Sequence, residues 1–372
     1  MRPQVAVVRC ASYEPSLVYE KVKTAIGLLG GIEKFVPSGG CVLVKPNLLM
    51  AKPPEAGIDT HPEVVRAVIK VLKENLCKIY VGDGPSVWGA QAENVDNVYE
   101  QTGIKRVCRE EDVTLVRFDK RRWRGKFPLT TWIDECQYLV SVPKFKTHEL
   151  TLLTGAVKNL YGLVSGTYKT ELHKKYFKPK EFSKIVVDIY EQKKPALSVV
   201  DGIVAMEGDG PGTSGSLRQL GLIISGQDGV AVDSVLAQLM GIRPQEVLTN
   251  KEAGARGLGE CDLNNIEIVG EKPADLGIKP FLLPAASLRS RIPQPIVNFI
   301  KRFIKYRPII QHQDCSSCGV CIETCPNQLI RRKNGRIIID YSRCIYCFCC
   351  QEACPNSAIK VRKSLLAKLT GL

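Results

Sequence analysis

The chain has 372 residues, 44% hydrophobic and 24% charged, with a formal net charge of +14. Such a length suits two or three domains, and the apolar share suits a sizeable core, which excludes a mainly disordered chain. No apolar run approaches the roughly 18 residues of a membrane-spanning helix, and Arg9 and Glu14 interrupt the start where an exported chain carries an unbroken apolar stretch. A soluble, cytoplasmic protein is the expectation. The basic balance attracts nucleic acid, membrane surface, acidic substrates and acidic redox partners alike, and selects none of them.

In chain order, short β-branched runs alternate with helical patterns. Strands are predicted at Val5–Arg9, Val42–Lys45, Ile79–Val81, Thr114–Phe118, Tyr138–Val142, Leu197–Val200, Leu222–Ser225 and Ile266–Val269. The clearest helix is predicted to start at Thr60, with Pro62 early, Glu63 at capping-box spacing, and Val64, Val65, Val68, Val71 and Leu72 at helical period. Such alternation predicts an α/β domain over about 1–280, with a largely parallel sheet and flanking helices.

In an open parallel sheet, ligands bind outside the carboxyl ends of the strands. Four predicted strands end in polar or glycine-rich residues: Lys45-Pro46-Asn47, Gly82-Asp83-Gly84, Pro143-Lys144-Phe145-Lys146-Thr147-His148 and Asp201-Gly202. Lysines bind carboxylate or phosphate, and Asp or His moves protons, so Lys144, His148, Asp201 and Asp83 are the candidate catalytic residues. Candidate substrate-binding residues are Lys45, Asn47, Lys146, Lys158, Asn159, Glu207, Gly208 and Gly210. The plainer readings are that Asp83 and Asp201 cap loops, that Lys144 and Lys146 are solvated, and that His148 begins a helix. Gly210-x-Gly212-x-x-Gly215 has the form of a dinucleotide fingerprint, but a strand, not a helix, is predicted after it, so a dinucleotide site is not expected. The lysine-rich stretch Tyr168–Lys184 around His173 reads as a lid over the cleft or as a solvated loop.

Residues 281–311 read as a connector carrying Pro284, Pro293, Pro295 and Pro308, and Ser287–Gln313 holds six Lys or Arg and no Asp or Glu. Ile296, Phe299, Ile300, Phe303 and Ile304 share one helical face. A helix packed between domains, peripheral contact with a membrane surface through 287–313, and contact with an acidic partner are all compatible. No recognised nucleic-acid module accompanies the charge.

Nine of the 15 cysteines fall between Cys315 and Cys354, a placement that speaks for a metal site in a reducing compartment. Cys315-x2-Cys318-x2-Cys321-x3-Cys325-Pro326 recurs as Cys344-x2-Cys347-x2-Cys350-x3-Cys354-Pro355, displaced by 29 positions. Zinc pairs normally read CxxC…CxxC, whereas a triple followed by Cys-Pro is the two-cluster [4Fe–4S] spacing, in which the fourth ligand of each cluster comes from the other copy. Cluster one is therefore assigned to Cys315, Cys318, Cys321 and Cys354, and cluster two to Cys344, Cys347, Cys350 and Cys325. Cys349 stands where the first copy has Val320 and reads as a thiol packed near cluster two.

Over about 312–362 the sequence resembles bacterial-type two-cluster ferredoxins. A second resemblance rests on Lys45-Pro-Asn, Thr60-His-Pro-Glu, Pro143-Lys-x-Lys-Thr-His148, Lys158-Asn-Leu-x-Gly and Asp201-Gly…Met206-Glu-Gly-x-Gly-Pro211, with Asp228 and Asp233 fitting later. These motifs resemble family 362 of the domains of unknown function, which implies an α/β domain often fused to a ferredoxin module, and no substrate. The organisation expected is thus 1–280 α/β domain, 281–311 connector, 312–362 ferredoxin domain and 363–372 basic tail. The function expected is an iron–sulfur oxidoreductase passing single electrons between two clusters and an anionic substrate or second cofactor at the strand-end rim, served by a redox partner protein or a small-molecule donor. A pure electron carrier with the large domain as docking surface, and a non-redox enzyme with structural clusters, remain open.

Overall fold

The computed structural model describes residues 2–85, 95–166, 168–284 and 306–363. The predicted connector helix around Ile296–Ile304 and the basic tail beyond Lys363 lie outside the described residues.

The large domain is built on one mixed, mostly parallel sheet. Its strands are β1 (Gln4–Arg9), β2 (Cys41–Pro46), β3 (Lys78–Val81) and β4 (Thr114–Leu115). After the side hairpin β5 (Arg121–Arg124) and β6 (Phe127–Thr130) come β7 (Tyr138–Val142), β8 (Lys144–His148), β9 (Leu152–Thr154), β10 (Leu197–Gly208), β11 (Gly215–Gly226) and β12 (Glu267–Gly270). The order is β12-β1-β11-β10-β7-β2-β3-β4, with β8 and β9 branching from β10. The β10–β7, β7–β2, β2–β3, β3–β4, β10–β8 and β1–β12 pairs are parallel, while β11 runs antiparallel to both β1 and β10.

Side-chain alternation explains why helices cover both faces. Val42 and Val44 of β2 pack with the helices Pro15–Leu28 and Pro62–Glu74, whereas Leu43 packs with the helix Pro179–Gln192. On β1, Ala6 and Val8 join the first of these cores, and Val5 and Val7 face the helix Gly229–Leu239. The helix predicted from Thr60 starts at Pro62, with His61 Nδ1 accepting the Glu63 N–H as its cap. Thr60 instead bridges strands: its hydroxyl donates to Val142 O at 2.6 Å and accepts the Asn47 N–H at 2.8 Å. Val64, Val65, Val68, Val71 and Leu72 are all buried, and a fully buried aliphatic side chain contributes about 1.5–3 kcal/mol.

Two predicted strand ends are corrected. Asp201 does not end a strand but lies within β10, which runs on to Gly208. Likewise Lys144–His148 is not a loop but β8, all five residues buried, paired with β10 at Asp201↔Lys144 and Met206↔Lys146. The C-terminal module has two small antiparallel two-stranded sheets: β13 (Tyr306–Ile310) pairs with β16 (Ile359–Lys363), joining the module's two ends, and β14 (Ile330–Lys333) forms a hairpin with β15 (Arg336–Ile339). β13 falls at the end of the stretch read as connector and belongs to the module's sheet.

Candidate functional site

The C-terminal end of β2 delivers Lys45 into the interior, fully buried. Its ammonium lies 2.7 Å from Asp83 Oδ1, 3.1 Å from Asn159 Oδ1 and 3.1 Å from Pro46 O. Asn159 in turn donates to Ser141 Oγ at 2.9 Å, and Asp83 Oδ2 accepts the Leu48 N–H at 2.8 Å. Gly162 makes this packing feasible, because a Cβ there would stand 2.3 Å from Asp83 Oδ1 and 2.4 Å from Lys45 Nζ. Burial pulls the Lys45 pKa down, and the Asp83 charge opposes it.

Beside this pair lies a cavity of about 40 Å³ whose lining includes Asn47, Asp83, Lys146, His148, Lys158 and Lys169. A single water needs about 10–15 Å³ on this measure, so the space accommodates a phosphate- or carboxylate-sized group. Lys146 donates to Ile58 O at 2.6 Å, and Lys169 donates to Gly84 O. Burial lowers Lys169 to about 8, with Asp83 opposing. Thr154 also lines the cavity, and its hydroxyl is buried without a hydrogen-bond partner. The imidazoles are not cations here: burial pushes His148 well below the ordinary value and His173 to about 3. His148 Nδ1 accepts the N–H groups of Leu150 and Thr151 at 3.1 and 3.3 Å, so that nitrogen carries no proton. It neither starts a helix nor stands ready as a proton donor near neutral pH.

The remaining predicted residues fall elsewhere. Lys144 and Asp201 form a second buried pair at 2.9 Å, closed over by the Tyr13 hydroxyl (2.7 Å to Asp201 Oδ1) and the His61 N–H (2.9 Å to Asp201 Oδ2). Tyr13 stacks on His61 with centroids 3.6 Å apart. Neither Lys144 nor Lys146 is solvated. Glu207 is occupied by Arg218 at 2.8 Å and the Leu282 N–H at 3.1 Å, and Gly208 accepts the Thr147 hydroxyl at 2.8 Å. Gly210 fits tightly, since a Cβ would lie 2.7 Å from Thr147 O. These three residues shape the β10–β11 connection rather than the cavity, to which that turn contributes Pro211.

Several cavity and network residues escaped the sequence reading. Lys169 and His173 come from the stretch read as lid or solvated loop, whose first part folds as the helix Tyr168–Lys175 and turns both inward, while Tyr161 comes from the turn just after Lys158 and Asn159. Asp59 accepts the Leu49 N–H and is raised to about 6 by burial, with Lys146 opposing. Asp233 accepts the Ala156 and Val157 N–H groups at 2.6 and 3.1 Å, orienting the turn that bears Lys158 and Asn159, and burial raises it to about 7. The Asp233 signal was present only as a motif match; no periodicity marks Tyr13 or Lys169.

The cysteine assignments can be tested for fit on the thiols themselves. Burial raises Cys321 to about 11, and the next contributions come from Cys354, Cys318 and Cys315. Cys350 is pushed far up by burial, then by Cys347, Cys321, Cys325 and Cys344. The neighbours of each include the three partners expected of a [4Fe–4S] ligand set. Among the described residues no group of three or more His, Cys, Asp or Glu is placed to hold a single metal ion. The Leu329 and Ala358 N–H groups point at the sulfurs of Cys325 and Cys354, each at 3.3 Å, the N–H···S bonds that tune cluster potential. Cys349 is buried against Val320, Cys347 and Phe177, the last from the large domain.

Two family models match separate parts of the chain. The model of the family described as Domain of unknown function (DUF362) matches residues 42–238, and that of the 4Fe-4S dicluster domain matches 307–355. A thylakoid-associated protein of Synechocystis sp. (strain ATCC 27184 / PCC 6803 / Kazusa) is 31% identical over 256 residues, covering 67% of this chain and 78% of that protein. Among solved structures, the lactate racemase apoprotein of Thermoanaerobacterium thermosaccharolyticum aligns with a TM-score of 0.38 at 13% identity, covering 61% of this chain and 54% of its own.

Proposed function

The chain belongs to the DUF362 family and carries a 4Fe-4S dicluster domain, and from that premise we propose that it is an iron–sulfur oxidoreductase. It passes single electrons between two [4Fe–4S] clusters and an anionic molecule held in the strand-end cavity. The observation that carries this reading is the match of the 4Fe-4S dicluster domain to residues 307–355, where Cys315, Cys318, Cys321 and Cys354 line one small cavity. When bound, the clusters supply one-electron chemistry. The chain's own residues hold the thiolates, and Lys146, Lys158 and Lys169 give the cavity its positive character. Neutral His148 and His173 add polarity without charge, so the lysines set the preference for an anion. The cavity is narrow, so it receives the acidic end of a ligand rather than a whole large molecule.

The test uses protein purified without oxygen. About eight irons and eight acid-labile sulfides per chain are expected, with a paramagnetic resonance signal after dithionite. Tight zinc with no reducible chromophore overturns the reading. Inorganic phosphate is expected to bind the same sample with a heat that Lys158→Ala reduces. No helix among the described residues is long and apolar enough to cross a membrane. The thylakoid association of the relative favours a peripheral place for this chain too, through the basic 287–313 stretch; flotation with anionic vesicles tests it.

A further inference from the structure

A second cleft, of about 680 Å³, lies between the C-terminal module and the large domain. One wall is formed around Cys315 and by the turn Pro355–Ser357 that follows Cys354; the opposite wall carries Lys52, Ile58, Met206 and Leu217. Two hydrogen bonds clamp the walls at one edge. Thr213 Oγ1 donates to Cys354 O at 3.1 Å, and Ser357 Oγ donates to Thr213 O at 3.0 Å. Gly215 leaves room on the large-domain side for the Met206 side chain, since a Cβ there would stand 2.5 Å from Met206 Cγ and Sδ. The glycine lets the thioether lie along the wall.

The volume falls in the ~300–1,000 Å³ range of small-ligand sites. Its walls offer an apolar face in Leu217, backed by the buried Ile58 and Met206, polar groups in Ser316 and Asn356, a cation in Lys52 and, on the module side, the carboxylate of Asp314. Leu217 is 48% exposed, an uncovered apolar surface beside a ligand-bearing loop. Iron–sulfur clusters pass electrons one at a time, so an occupant that exchanges them beside Cys315 is best served by a conjugated ring, which can carry an unpaired electron.

We propose that this cleft binds a conjugated ring with an anionic arm, the ring on Leu217 and the arm at Lys52 on the wall opposite Asp314. The choice of a ring rests on the iron–sulfur reading above, and the site differs from the strand-end cavity. The probe is flavin mononucleotide, with riboflavin as its phosphate-free counterpart, added without oxygen to the full-length cluster-loaded chain while flavin fluorescence is followed. Saturable quenching at one flavin per chain is expected. Lys52→Glu is expected to weaken flavin mononucleotide at least tenfold and to leave riboflavin within twofold, and Leu217→Asp to weaken both at least tenfold. Iron content and paramagnetic resonance are recorded on the same samples. No quenching with both clusters in place, or quenching indifferent to the two substitutions, overturns the cleft and leaves the iron–sulfur reading standing. Quenching with the expected dependence in a chain without iron upholds the cleft and removes the electron-transfer reading.

Discussion

The two buried lysine–carboxylate pairs are alike in chemistry and unlike in surroundings. Lys45–Asp83 and Lys144–Asp201 close to 2.7 and 2.9 Å, and all four side chains are almost wholly buried. A buried pair is costly unless its remaining donors and acceptors are satisfied. At Asp201 they are, by Tyr13, His61 and Lys144, and the pair is sealed. Asp83, by contrast, lines a cavity that also receives Lys146, Lys158 and Lys169. The same residue pairing thus holds strands together in one place and borders a polar cavity in the other.

The largest effect that separates them is on folding. Asp201→Ala leaves Lys144 buried without its counter-charge and is expected to cost about 3–5 kcal/mol, read as a shift in the denaturant midpoint. Lys144→Met combined with Asp201→Leu is expected to recover most of that loss; if the single variant is as stable as the parent, the sealed pair is not structural. Next comes Lys158→Ala, which is half-buried beside the cavity: phosphate affinity is expected to fall at least tenfold with the unfolding midpoint unmoved, as titration calorimetry would show.

A subtler effect follows from Lys169. Its pKa of about 8 in the fold lies below the ordinary 10.5, so the ammonium is present below about pH 8 and lost above it. Anion affinity is therefore expected to decline as pH rises through 8, and Lys169→Arg to keep it flat to higher pH. Between 8 and 10.5 the unfolded chain retains a proton that the folded chain has released, so this residue's contribution to stability rises with pH in that window. The smallest effect belongs to Cys349→Ser, expected to leave iron per chain unchanged, whereas Cys350→Ser is expected to lose about four irons with its cluster. Equal iron loss in both would put Cys349 among the ligands.

Much of the fold was legible from particular residues. The runs at Val42–Lys45 and Tyr138–Val142 and the apolar stripe Val64–Leu72 gave strands and helix within a residue or two, because period and burial agree there. Polar composition misled at Lys144–His148 and Asp201. Both lie inside strands, since ion pairing with each other satisfies what the pattern reads as a break. The lid stretch misled in the opposite sense: Lys169 and His173 look solvated in sequence and are buried.

Read alone, the amino-acid order determined the C-terminal 4Fe-4S dicluster module and the α/β alternation. Thiols separated by two residues can converge within one loop whatever surrounds them, and apolar period is a local property of the chain. Which lysine faces a cavity and which is locked into the core was decided only by the tertiary structure. That outcome depends on Tyr13, His61 and Gly162, which come from distant segments and act by filling or vacating the space around each charge.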